Sequence, residues 1–147
     1  MEDAMDHLED KLVLALFRSY RVVADETARN IRSFGLSVTE FGVLEALFHK
    51  GPLPVQALSH TVLVTSGSMT YITGQLEKKE LVSRQRCDKD KRIWYIALTD
   101  KGRALMARIY PLHQAFLARL FQNLSSREKR DLILSLGRLR RLTGPRG

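Results

Sequence analysis

The sequence predicts a mainly α-helical fold that carries one small β-hairpin. Three observations lead there. Apolar residues recur at helical spacing through most of the 147 positions. Two stretches, 81–86 and 93–98, alternate with a period of two around a charged tip. Helix-start signals precede most of the helical stretches.

Residues 7–30 form the first predicted helix. Leu8, Leu12, Ala15, Leu16, Ser19, Val22 and Val23 make one stripe, and Val13, Phe17, Tyr20 and Ala24 a second. Two stripes need two partners, its own domain and a second subunit. Ser33-Phe34-Gly35 breaks the pattern. Ser37 and Glu40 then have capping-box spacing, with Leu36 and Phe41 placed as a hydrophobic staple. Leu44, Leu47 and Phe48 continue the buried face to Gly51-Pro52. Pro54 is expected to open a short helix with Val55, Leu58 and Val62 inward. Leu63-Val64 is the expected turn, and Thr65 the N-cap of a helix over 65–79 that buries Met69, Ile72 and Leu76. Thr99 caps a long helix to about Asn123, which Pro111 should kink. Ser125 and Glu128 form another capping box before a last helix to Leu142, striped with Leu132, Ile133, Leu136 and Leu139. The whole chain, 1–147, reads as one domain.

The net charge is +8 and unevenly placed. Residues 1–30 hold 4 basic and 7 acidic side chains, whereas residues 100–147 hold 11 and 3. An acidic start and a basic remainder suit a polyanionic partner, although a solvated basic surface is the plain alternative. No apolar run is long enough to cross a bilayer, so no membrane partner is expected. The acidic N-terminus lacks the features of a signal peptide, and a lone Cys87 agrees with a cytoplasmic location. His7, His49, His60 and His113 are scattered and share no metal spacing with Cys87. No phosphate loop or nucleophile motif appears. An enzyme, a metal site and a cofactor are therefore not expected.

A short helix, a tight turn and a capped helix make a helix-turn-helix unit, here over 37–98 with its hairpin wing. Gly67, Thr70, Tyr71 and Gly74 share one face of the second helix, flanked by Ser66, Ser68, Gln75 and Lys78. Each glycine costs about 1 kcal/mol against alanine in a helix interior, so small residues there suggest a backbone that approaches another surface. Lys89, Lys91 and Arg92 project from the wing tip, with Arg84 and Arg86 on its first strand. Such a wing suits the sugar-phosphate backbone and the minor groove. A polar solvated helix face and an ordinary charged turn are the bland readings.

Leu36 to Phe41, then Leu81-Val82 through Asp90-Lys91-Arg92 to Leu98-Thr99-Asp100-Lys101-Gly102, resemble the MarR (multiple antibiotic resistance regulator) family over about 8–142. Leu44 to Leu47, His49 to Pro52 and Thr65 to Tyr71 look most like its quinone-responsive MhqR-type subgroup. The resemblance implies a homodimeric, sequence-specific transcription regulator, typically a repressor, on a pseudo-palindromic double-stranded DNA operator. Helices 7–30 and 100–142 would pair with their mates. Ser66, Ser68, Thr70 and Tyr71 would face the major groove, and Arg92 would enter the minor groove, oriented by Asp90. Family members often carry arginines where this chain has Ser66 and Tyr71. They commonly carry glycine where it has Glu80, so the helix end there is expected to differ. Release by a small phenolic, quinone-like or other lipophilic ligand is also implied, with Phe17, Tyr20, Phe41, Tyr110, His113 and Phe116 as candidate lining and ordinary core packing as the alternative for each. Cys87 is the alternative, redox sensor. Arg84 and Arg86 favour its reactivity and Asp88 opposes it. A non-specific architectural DNA-binding protein is the remaining alternative.

Overall fold

The computed structural model describes residues 7–62 and 66–142. In chain order the elements are α1 (Leu8–Arg32), α2 (Val38–Lys50), β1 (Leu53–Pro54), α3 (Val55–Val62), α4 (Ser66–Lys78), β2 (Val82–Arg86), β3 (Trp94–Leu98), α5 (Asp100–Leu120) and α6 (Ser126–Leu142). The turn at Leu63-Val64 and the cap at Thr65 lie outside the described residues. Two compact units result, Met1–Gln114 and Ala115–Gly147.

In the first unit, α2 begins where the sequence placed it. Ser37 Oγ accepts the Glu40 N–H at 3.1 Å, and Glu40 Oε2 accepts the Ser37 N–H at 2.8 Å. This reciprocal cap satisfies two otherwise orphan donors. Leu36 and Phe41, the staple pair, are both buried. Glu40 also receives Lys79 Nζ at 2.8 Å, which ties the start of α2 to the residue after α4. At the other end Gly51, at φ +77°, turns the chain out of α2.

Pro54 departs from the expectation. It lies in β1, paired with Tyr95, and α3 starts one residue later at Val55. Proline has no N–H to give to a ladder, so a sheet takes it at an edge, which is where β1 stands in the order β1-β3-β2. The expected hairpin is thus part of a three-stranded antiparallel sheet. Its β2–β3 register pairs Val82 with Leu98, Arg84 with Ile96 and Arg86 with Trp94.

The end of α4 is a second departure. Glu80 takes φ 60°, the left-handed conformation that favours glycine. Its N–H donates to Glu77 O at 2.9 Å and the Leu81 N–H to Leu76 O at 3.0 Å. That is the Schellman closure, with Leu81 and Leu76 as its buried apolar pair. The helix end therefore does not differ from a glycine-terminated one. The left-handed glutamate costs roughly 1 kcal/mol. Thr99 Oγ1 helps hold it by donating to Glu80 O at 2.6 Å.

The core gathers Leu44 and Leu47 of α2, Leu58 of α3, Met69 and Leu76 of α4, Ile96 of β3, and Met106 and Ile109 of α5. Burying each such side chain contributes roughly 1.5–3 kcal/mol. Thr73 is also fully buried in α4, between Met69 and Leu76, and the apolar pattern did not mark it. Its hydroxyl bonds back to Met69 O at 2.9 Å. Helix α5 ends at Leu120, three residues before the expected Asn123, and Pro111 lies inside it.

In the second unit, α6 opens on the expected box. The Ser125 N–H donates to Glu128 Oε2 at 2.7 Å, and the Glu128 N–H to Ser125 Oγ at 3.2 Å. Those bonds hold the Glu128 carboxyl below its ordinary range. Leu132, Ile133, Leu136 and Leu139 are exposed.

The start of α5 is set by close approach. Thr99 Oγ1 accepts the Gly102 N–H at 3.0 Å, and a Cβ on Gly102 would collide with the Leu81 carbonyl oxygen. Gly102→Ala should therefore destabilise the chain by about 2 kcal/mol in urea denaturation, because backbone rather than a pliable side chain blocks the methyl. Unchanged stability would show that α5 shifts aside without cost.

Candidate nucleic-acid interface

Helix α4 turns Met69, Thr73 and Leu76 inward. That leaves Ser68, Thr70, Tyr71 and Lys78 on its exposed side, with Gln75 half-buried. Tyr71 is 68% exposed. Among the described residues a Cβ on Gly74 would find nothing within 4 Å, so none of them requires glycine there. The surroundings of Ser66 and Gly67 are outside what the structure describes.

The wing tip is shaped by its own charges. Asp90 Oδ1 accepts the Arg92 backbone N–H at 3.0 Å and Nε–H at 3.1 Å, and Oδ2 accepts from Nη2 at 3.1 Å. The fork holds the Asp90 carboxyl below its ordinary range and pushes the Arg92 guanidinium up. The Arg92 side chain nevertheless stays 90% exposed. Lys89 and Lys91 are exposed beside it.

Thr70 of α4 and Arg92 of the wing line one cleft of about 360 Å³, together with Gln56, Arg84, Trp94 and Tyr95. Arg84 is half-buried, unlike the tip residues, whereas Arg86 is exposed. Arg84 pairs with Glu77 of α4 at 3.1 Å. Its guanidinium carbon lies 5.9 Å from the Trp94 ring centroid, and that of Arg86 4.9 Å. Cys87 is half-buried where β2 ends, its N–H donating to Ile93 O at 2.9 Å. Gln56, Glu77 and Trp94 were not singled out in the sequence. For Trp94 the signal was there: it has the parity of Ile96, which faces the core.

Of the six candidate ligand residues, five lie in the first unit. Phe17 and Tyr20 are 69% and 75% exposed on α1. Tyr110 packs on Phe48 and His49 at 5.9 Å and 4.8 Å between centroids. Phe116 belongs to the second unit. Phe41 and His113 do meet, 4.7 Å apart. They share a cleft of about 420 Å³ with Thr27, Ile31, Val38 and Val62, among others. His113 Nδ1 lies 2.8 Å from Asn30 Oδ1, which makes it the donor in the neutral ring. Among the described residues no group of three His, Cys, Asp or Glu side chains is placed to hold a metal ion. No helix of the described residues is long and apolar enough to cross a membrane.

A helix-turn-helix with a basic, internally braced wing defines a transcription regulator rather than an enzyme. The sequence profile of the MarR family matches residues 36–94. The chain is 40% identical over 118 residues to the HTH-type transcriptional regulator MhqR of Bacillus subtilis (strain 168), covering 80% of this chain and 81% of that protein. It is 38% identical over 119 residues to the uncharacterized HTH-type transcriptional regulator YkoM of the same strain, covering 81% and 77%. The fold matches Sco3205, a MarR family regulator from Streptomyces coelicolor solved in complex with DNA, with a TM-score of 0.87, 20% identity and coverage of 99% and 94%. This chain belongs to the MarR family.

Burial pushes the His113 imidazole below its ordinary value of 6.5, with the Glu45 carboxylate opposing. The unfolded chain then takes up a proton before the folded one does. Stability contributed by the neutral ring is present above 6.5 and falls as pH drops from there toward the folded value. Chemical denaturation between pH 7 and 5 should show a steeper loss in the parent than in His113→Leu. Equal slopes would mean that His113 titrates as freely folded as unfolded.

Proposed function

We propose that this chain is a homodimeric repressor that binds a pseudo-palindromic operator in double-stranded DNA and is released by a small phenolic or quinone-like molecule. One observation carries the DNA reading: Thr70 on α4 and the braced Arg92 on the wing line the same cleft. A duplex lying along the exposed side of α4 would then meet the wing tip. Ser66, Gly67, Ser68, Thr70, Tyr71, Gln75 and Lys78 form the major-groove surface in this reading. Arg92, oriented by Asp90, enters the minor groove, and Lys89 and Lys91 contact phosphates. Gly74 fits as the place where the helix backbone comes closest to the groove. Sco3205, whose fold this chain shares, was solved in complex with DNA, which supports the DNA reading.

The homodimer reading rests on two apolar surfaces. Leu12, Val13, Phe17, Tyr20 and Val22 are exposed along α1, and Leu132, Ile133, Leu136 and Leu139 along α6. Helices 7–30 and 100–142 of a single domain would cover them against a second copy. The effector reading rests on the cleft of Ile31, Val38, Phe41, Val62 and His113. Its walls are mostly apolar with a few polar groups, the usual character of a small aromatic ligand's site. It is built partly from α3, so an occupant bears on the helix-turn-helix itself.

Footprinting on the DNA upstream of its own gene should give a protected, two-fold symmetric site. Arg92→Ala should weaken binding there while leaving the melting temperature near the parent's, since the tip is exposed. Gly74→Ala should gain up to about 1 kcal/mol of stability yet bind less tightly. Parental affinity in both variants would remove the wing and this helix face from the interface. Light scattering at micromolar concentration should give twice the chain mass, and a monomer would sink the dimer.

A further inference from the structure

Arg84 has the sequence context of a DNA contact, but its surroundings point elsewhere. It faces Ile96 in the β2–β3 register. It therefore shares the sheet face of Val82, which is buried. From there its side chain reaches α4. Nε and Nη2 lie 3.2 Å and 3.1 Å from Glu77 Oε1, and Nη2 lies 3.5 Å from Thr73 Oγ1. Thr73 and Glu77 are one helical turn apart, so one guanidinium engages successive turns of the helix. Trp94 flanks it at 5.9 Å, and Arg86 stacks on the same ring. The Arg84 side chain is 28% exposed, against 90% for Arg92.

We propose that Arg84 is a positioning residue, a strut that fixes the pitch of the wing against α4, and not a contact to DNA. The inference rests on the reading of α4 and the wing as one DNA-binding surface. Such a surface must span a fixed distance between adjacent grooves, so the angle between wing and helix decides whether both fit at once. A planar fork can brace that angle, bonding Glu77 and Thr73 in fixed directions with Trp94 beside it. A lysine carries the same charge but no fork. With Glu77 already beside it, Arg84 has little unpaired charge to set against phosphate.

The test uses full-length protein and a duplex from upstream of its own gene, titrated with salt. A phosphate contact contributes about one unit to the slope of log affinity against log salt, and a strut contributes none. Arg84→Lys and Arg84→Ala should lose affinity to a similar extent, about tenfold, with the parental salt slope. Glu77→Gln should behave likewise, and Arg92→Ala should flatten the slope by about one unit. Trp94 is the chain's one tryptophan. In DNA-free protein its emission and anisotropy should change in both Arg84 variants. Parental affinity in Arg84→Lys, together with a flattened slope in Arg84→Ala, would make Arg84 a phosphate contact and overturn the proposal. An unchanged Trp94 signal in Arg84→Lys would overturn it as well. If the parent itself failed to bind the duplex, the DNA reading would fall, and the Trp94 signal would still decide the strut.

Discussion

The carbonyl of Leu81 is where α4, the wing and α5 are joined. It accepts the Thr99 N–H at 3.1 Å and lies against the Cα of Gly102. The Leu81 N–H, one peptide earlier, closes α4 by donating to Leu76 O. Three elements meet within these few atoms: the end of α4, the two ends of the wing, and the first turn of α5. Thr99 serves all three, through its N–H, its bond to Glu80 O and its cap on Gly102. Any side chain at position 102 would force α5 off the wing. The left-handed Glu80 is tolerated because the junction around it satisfies the backbone groups that this conformation exposes.

From that junction outward the sheet changes character. Val82, Ile96 and Leu98 lie at its base, where the first two are buried and Leu98 packs against the core. On the same face Arg84 stands opposite Ile96, and Arg86 and Trp94 form the next pair outward. The wing therefore continues the core's geometry with ionic and ring contacts where hydrocarbon runs out. At the tip, Asp90 and Arg92 brace each other while the arginine remains open to solvent. A charge so exposed gains little stability from its pair, and what the pair supplies is direction.

The same division of labour appears beside α1. Its C-terminal end is anchored by Ile31 and by the Asn30–His113 bond, while the apolar residues earlier in the helix stand in solvent. The cleft of Phe41 and His113 lies at that anchored end, among α1, α2, α3 and α5. A ligand there would press on a helix that leads to the proposed subunit contact and on the first helix of the helix-turn-helix.

Much of the fold was legible because its signals are local. Capping at Ser37 and Ser125 is written in two side chains three positions apart, and the apolar period of α2 and α4 follows from 3.6 residues per turn. The wing's Asp90–Arg92 pair was legible for the same reason, since its partners are two residues apart. Pro54 was misplaced because a helix start and an edge strand both accept a residue with no N–H, and only the nearby β3 decides between them. Glu80 was misjudged because local sterics disfavour a left-handed glutamate, and the bonds that outweigh this come from Thr99, nineteen residues on. That Phe17 and Tyr20 stand exposed while Phe41 and His113 share a cleft was invisible for an equivalent reason: composition names aromatic residues but not the directions in which packed helices point them. The sequence by itself determined the element order, the caps and the braced tip, all of which depend on neighbours along the chain. Tertiary structure alone decided which face of the sheet Arg84 shares, what holds the Glu80 carbonyl and which residues line a common cleft, because those contacts join groups that only the packed core brings within bonding distance.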